Sequence, residues 1–146
     1  MSRYRLTIDS TLTEIFVVSV LVRGVCDHLQ ADAAQAYSVE LCAVEAVTNA
    51  IKHAYRGVSG HEVMLEMSFT PERIDLRVCD QGVSMPEEQI EKLSSGSSVF
   101  EFDPECLETV PEGGMGLEII RHEMDELSYS SENGSNCLKL TKFVSA

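Results

Sequence analysis

The run Leu41-Cys42-Ala43-Val44-Glu45-Ala46-Val47-Thr48-Asn49-Ala50-Ile51 constrains this chain more than any other segment. It is almost wholly apolar, yet Glu45, Asn49 and, just beyond it, His53 recur at i, i+4 and i+8. On a helix that spacing makes one polar track, while Leu41, Val44, Val47, Ile51 and Ala54 supply a core side. Asn has low helix propensity, and within an apolar run it needs a partner. The track reads either as a solvated face or as a line aimed at a ligand. For the second reading, a carboxamide oxygen is a suitable hard ligand for Mg²⁺. The carboxylate one turn earlier then suits a hydroxyl proton near a transferred phosphoryl group.

This helix is expected from about Ala33 to Tyr55, with Asp32 near its start and Gly57 and Gly60 at its end. Before it, Tyr4–Ile8 alternates as a short strand. Ser10 or Thr11 is the expected cap of a helix running to Leu29, with Ile15, Val18, Val22, Val25–Cys26 and Leu29 at helical spacing. After it, Val63–Phe69 and Ile74–Val78 alternate around the turn Thr70-Pro71-Glu72, which predicts an antiparallel hairpin. Pro86 opens a short helix through Leu93. A helix follows from about Gly114 to Met124, and Leu127–Ser130 with Cys137–Val144 form a last hairpin across Asn133-Gly134. The order predicts an α+β fold of two layers. Helices cover one face of a mixed, mostly antiparallel sheet, unlike the regular alternation of a dinucleotide-binding domain.

The length, 146 residues, fits a single domain spanning 1–146. Hydrophobic residues at 44% and charged residues at 24% suit a soluble globular chain. No apolar run is long enough to cross a bilayer, and Met1-Ser2-Arg3-Tyr4-Arg5 lacks the apolar core of a secretory signal. A cytoplasmic location is the expectation, with no membrane partner. The net charge of −13 repels a phosphate backbone, so no direct nucleic-acid partner is expected. The five cysteines are scattered without a C-x-x-C pair, and most are expected as buried thiols in a reducing compartment.

Two glycine-bearing elements complete the chemistry. Asp80-Gln81-Gly82 stands at a strand end, where a carboxylate can accept a hydrogen bond from the exocyclic amine of adenine; a plain turn is the alternative. Glu112-Gly113-Gly114-Met115-Gly116-Leu117 runs into a helix, and N–H groups at such an N-terminus suit phosphate oxygens. From Leu93 to Ile120 there is no Lys or Arg. An anionic ligand there has to be met by Mg²⁺, N–H groups and the helix dipole. Lys52 and Arg121 are the basic residues flanking these elements, and both read first as surface or packing residues.

Glu45-Ala46-Val47-Thr48-Asn49-Ala50-Ile51-Lys52-His53-Ala54 resembles the N-box of the GHKL (Bergerat-type) ATPases. Asp80-Gln81-Gly82 resembles their first glycine box and Gly113-Gly114-Met115-Gly116-Leu117 their second, in the same order and over nearly the whole chain. Within that class the chain is similar to the anti-sigma-factor serine kinases. The resemblance implies Mg-ATP as cofactor, Glu45 as general base, Asn49 as Mg²⁺ ligand and Asp80 as adenine contact. Lys52, His53, Gly82, Gly113, Gly114, Met115, Gly116, Leu117 and Ser135 would complete the nucleotide site, under an ATP lid over about 84–115. It implies a STAS-domain anti-anti-sigma factor as the substrate, phosphorylated on serine, a sigma factor or other regulatory target as second partner, and a homodimer. The chain departs from the family at Ser84, where a second glycine is usual, at Pro111, where Arg is frequent, and at Asn136, where Thr is frequent. These departures keep open a nucleotide-gated binding switch with little kinase activity.

Overall fold

The computed structural model describes residues 1–95 and 116–144. Strand β1 (Ser2–Asp9) leads through a short 3₁₀ turn (Leu12–Glu14) into helix α1 (Ile15–His28), followed by α2 (Ala33–Asn49). Then come β2 (Glu62–Phe69), β3 (Arg73–Asp80), α3 (Glu87–Ser95), α4 (Gly116–Glu123), β4 (Glu126–Glu132) and β5 (Ser135–Phe143). The expected lid begins within the described residues, where 87–95 form α3; its remainder, including Pro111, lies outside them.

The five strands are ordered β1-β2-β3-β5-β4, and all four pairings are antiparallel. Among the described residues the sheet is therefore wholly antiparallel, where the sequence predicts a mixed, mostly antiparallel one, and the topology gives the reason. Two successive helices return the chain to the end of the sheet where β1 finished, so β2 runs back along β1; Ser10 N–H bonds His61 O at that junction. On the other side β5 inserts between β3 and β4, which separates the two strands that would have lain parallel.

Alternation along the strands sends one set of side chains to the helices and the other to the open face. Val63, Leu65, Met67, Ile74, Leu76, Val78, Leu138 and Leu140 are buried on the helix side. They meet Val18, Val22 and Cys26 of α1, Val39, Cys42, Ala46 and Val47 of α2, and Leu117 and Ile120 of α4 in one core. Asp32 caps α2 by accepting from Ala34 N–H and Gln35 N–H at 3.1 and 3.3 Å, a bond type that contributes about 1 kcal/mol. Neither Ser10 nor Thr11 caps the first helix. Ser10 is buried and donates to Val58 O at 2.6 Å while accepting from His61 N–H. Asn133 and Gly134 both have positive φ (52° and 79°), the conformation a two-residue hairpin turn demands.

Two further expectations change. The helix predicted through Tyr55 stops being α-helical at Asn49; Ala50–Ala54 form a π turn, with Tyr55 N–H bonded to Ala50 O, five residues back. And Cys79 and Cys137, expected as thiols, are joined by a disulfide across β3 and β5. Antiparallel register sets them directly opposite with Cα atoms 4.2 Å apart, so pairing needed no motif in the sequence. Cys26 and Cys42 are buried free thiols, and Cys106 lies outside the described residues.

Candidate functional site

A cavity of about 320 Å³ opens between the end of α2, the ends of β3 and β5, and the segment leading to α3. Ala46, Asn49, Ala50, His53, Ala54 and Arg56 form one wall, and Val83, Ser84, Met85, Pro86 and Gln89 the facing one. Val78, Asp80 and Leu138 come from the sheet, Leu117 from the start of α4 and Tyr129 from β4. The lining is largely apolar with a few polar groups, the usual make-up of a small-molecule site.

Asp80 is the most constrained of those polar groups. Its Oδ1 accepts from Gly82 N–H at 2.9 Å and from Asn136 Nδ2 at 2.8 Å. Asn136 is 2% exposed and fully engaged: its amide also donates to Gly82 O at 2.9 Å, and its own oxygen accepts from Ser131 Oγ at 2.6 Å. Burial pushes the Asp80 carboxyl above its ordinary value, and the bonds from Asn136 and Gly82 act in the opposite sense. Among the described residues, the carboxyl is thus held by donors on Oδ1, within a cavity that includes it.

Gly82 is placed by the π turn. A Cβ there would lie 2.3 Å from Ala54 O and 2.6 Å from Ala54 C, so only glycine fits without backbone movement. Val83 N–H donates to the same carbonyl at 2.8 Å, docking the glycine loop on the helix end. Tyr55 braces the junction from below: its hydroxyl donates to Glu62 O and accepts from Gln81 N–H, both at 2.7 Å. Burial raises the Tyr55 phenol above its usual value. Tyr129 does the same for the other wall, accepting from Met85 N–H at 2.8 Å.

Of the residues singled out in the sequence, Asn49, His53, Asp80 and Leu117 line the cavity and Gly82 shapes its edge. The Asn49 side chain forms no hydrogen bond with any described residue, which leaves its carboxamide available to a hard cation. Glu45 and Gly116 meet beside the cavity rather than in its lining; a Cβ on Gly116 would stand 2.9 Å from Glu45 Oε2. Lys52 is exposed and Ser135 half-buried, and neither is among the lining residues. Arg121 sits near Glu118 at 3.8 Å, as a packing residue of α4. Gly113, Gly114 and Met115 lie outside the described residues. Sequence reasoning missed Arg56, which lies just past the helix end with a positive φ of 53° and brings a cation to the wall. It also missed the bond from Asn136 to Asp80, which spans 56 positions.

The two-layer fold thus sets a helix-borne polar track across a cavity from a strand-end Asp and its glycine. Residues 8–142 match the histidine kinase-like ATPase domain, and the chain belongs to that family. The chain is 28% identical to the serine-protein kinase RsbW of Listeria innocua over 73% of its own length and 64% of that protein's. It is 30% identical to the serine/threonine-protein kinase BtrW of Bordetella bronchiseptica over 72% of its length and 68% of that protein's. Among solved structures, the RsbU and RsbW domains of Rv1364c from Mycobacterium tuberculosis superpose with a TM-score of 0.67 at 16% identity. That match covers 100% of this chain and 34% of the other.

Proposed function

We propose that the protein binds Mg-ATP in this cavity and transfers its γ-phosphoryl group to a serine of a STAS-domain anti-anti-sigma factor. In doing so it would govern the sequestration of a sigma factor or an equivalent target. The observation that carries the reading is the Asp80–Asn136–Gly82 constellation facing Asn49 across a cavity of ligand size. An ionised Asp80, an acceptor only, is assigned a hydrogen bond from the exocyclic amine of adenine. Asn49 would hold Mg²⁺, which when bound neutralises charge on the phosphates. His53 and Arg56 stand on the same wall for the phosphate or sugar groups.

Phosphoryl transfer asks the protein for positioning and electrostatics more than for covalent chemistry. Glu45, one turn before Asn49 and against Gly116, is assigned the proton of the attacking serine hydroxyl. The N–H groups at the start of α4 are assigned phosphate oxygens. The names of the relatives, serine-protein kinase and serine/threonine-protein kinase, support a protein substrate. Self-association as a homodimer belongs to the same reading; Phe16, 73% exposed, and Val20, one turn on, leave an apolar stripe on α1.

The test joins binding to chemistry. Mg-ATP is expected to raise the unfolding temperature, by roughly 2.7 kcal/mol of added stability at about 100-fold excess over Kd. Asn49→Ala and Asp80→Asn are expected to remove that gain. Labelled phosphate should pass from ATP to a STAS-domain partner in wild type and not in Glu45→Ala. Because Glu45 stands outside the cavity lining, a nucleotide-gated switch without transfer is the second reading. Partner binding that responds to nucleotide equally in wild type and Glu45→Ala, with no phosphoserine formed, would select it.

A further inference from the structure

The disulfide lies outside the cavity yet one residue from the bonds that shape it. Cys79 pairs with Cys137, and the next pair on the same ladder is Asp80 with Asn136. Alternation sends the two pairs to opposite faces: Asp80 and Asn136 toward the helices and the cavity, Cys79 and Cys137 to the face the helices leave open. One covalent tie therefore clamps the strands where Asn136 holds Asp80 at 2.8 Å. The neighbouring pair on the open face is Arg77 with Lys139, both exposed, which places two cations beside the sulfurs.

The other described cysteines make the contrast. Cys26 and Cys42 are 0% exposed, and burial pushes the Cys42 thiol up to about 12, so neither supplies a usable thiolate. Cys137 is half-buried and Cys79 8% exposed, on a sheet face open to small molecules.

We propose that Cys79 and Cys137 form a thiol–disulfide modification site, oxidised by an anionic low-molecular-weight disulfide, whose state sets the nucleotide affinity of the Asp80 cavity. The inference rests on the nucleotide reading given above. In the forward step the Cys137 thiolate attacks one sulfur of the small disulfide RSSR, whose S–S bond breaks and releases RS⁻. The Cys79 thiolate then attacks Cys137 sulfur in the mixed disulfide and expels the second RS⁻. Two electrons pass from the cysteine sulfurs to RSSR, and the two cysteine protons end on two RSH. Arg77 and Lys139 favour encounter with an anionic disulfide over a cationic one. The bonded form holds Asp80 and Asn136 in place before nucleotide arrives. Reduction releases the tie, and the cost of ordering them then falls on binding.

The test equilibrates the whole purified chain with mixtures of reduced and oxidised glutathione, followed by alkylation and peptide mass spectrometry. Mg-ATP affinity is measured by calorimetry on the fully oxidised and fully reduced forms. The expected result is reversible linkage of Cys79 to Cys137, formed faster by oxidised glutathione than by cationic cystamine. Mg-ATP affinity should fall about tenfold on reduction, from lost pre-organisation. The Cys79→Ser, Cys137→Ser double variant should bind like the reduced form in both buffers. Failure of the pair to exchange, or equal affinity in the two states, overturns the proposal and leaves the nucleotide reading intact. Absence of Mg-ATP binding in both states overturns that reading and this one with it.

Discussion

Asp80 is held by two donors on one oxygen inside an apolar wall, and that arrangement has opposite consequences for folding and for binding. Its pKa is raised in the folded state, so the fold takes up the proton more readily than the unfolded chain does. Stability from this group is therefore present at low pH and declines as pH rises from the ordinary aspartate value through the raised one. Nucleotide affinity runs the other way, because only the ionised carboxylate is a pure acceptor. Calorimetric titrations should show ATP binding weakening on acidification at a higher pH than an ordinary aspartate would give. Asp80→Asn should lose binding at neutral pH while keeping or raising the melting temperature. Gly82→Ala is a steric counterpart. The backbone of Ala54 cannot yield as a side chain can, so roughly 1–3 kcal/mol of stability is expected to go in urea melts. Gly116→Ala should be milder for the fold, since its obstacle is the flexible end of Glu45. Assays should find serine phosphorylation reduced and nucleotide binding retained.

At the level of elements, the π turn at Ala50–Ala54 is what brings Asn49 and Gly82 to the same cavity. It leaves Ala54 O to receive Val83 N–H and so seats the glycine loop on the helix end. Nothing in Ala50-Ile51-Lys52-His53-Ala54 distinguishes an i→i+5 bond from an i→i+4 bond, and the sequence reads as unbroken helix there. The hairpins were legible because Val63–Phe69, Ile74–Val78 and Asn133-Gly134 carry period-2 burial and turn chemistry locally. The polar track was legible for the same reason, being local to one helix. Asn136 and the cysteine pair were not, because their meaning depends on β5 lying beside β3, a contact between distant segments. The Ser10 role was hidden likewise, its partners Val58 and His61 being in another loop. On α1, Phe16→Ser with Val20→Ser should shift sedimentation toward monomer and leave the circular dichroism spectrum in place, since neither side chain belongs to the core.

Across the whole molecule, charge is distributed unevenly. Arg3, Arg5, Arg73, Arg77 and Lys139 lie on the open face of the sheet, where Arg5 pairs with Glu66 and Arg73 with Asp75. The chain as a whole carries −13, a field that repels an anionic nucleotide. Stopped-flow association of nucleotide should accordingly quicken as added salt screens that field, the reverse of an electrostatically steered ligand. The strand order also has a consequence in time. Because β5 inserts between β3 and β4, Asp80 meets Asn136 only after residues 135–143 have been added to the chain. A ribosome releases the amino-terminal three strands and both long helices first, and until the last strand emerges Asp80 lacks its Asn136 partner. On the nucleotide reading proposed above, ATP would stabilise only chains translated through β5 and leave those stopped before it unprotected.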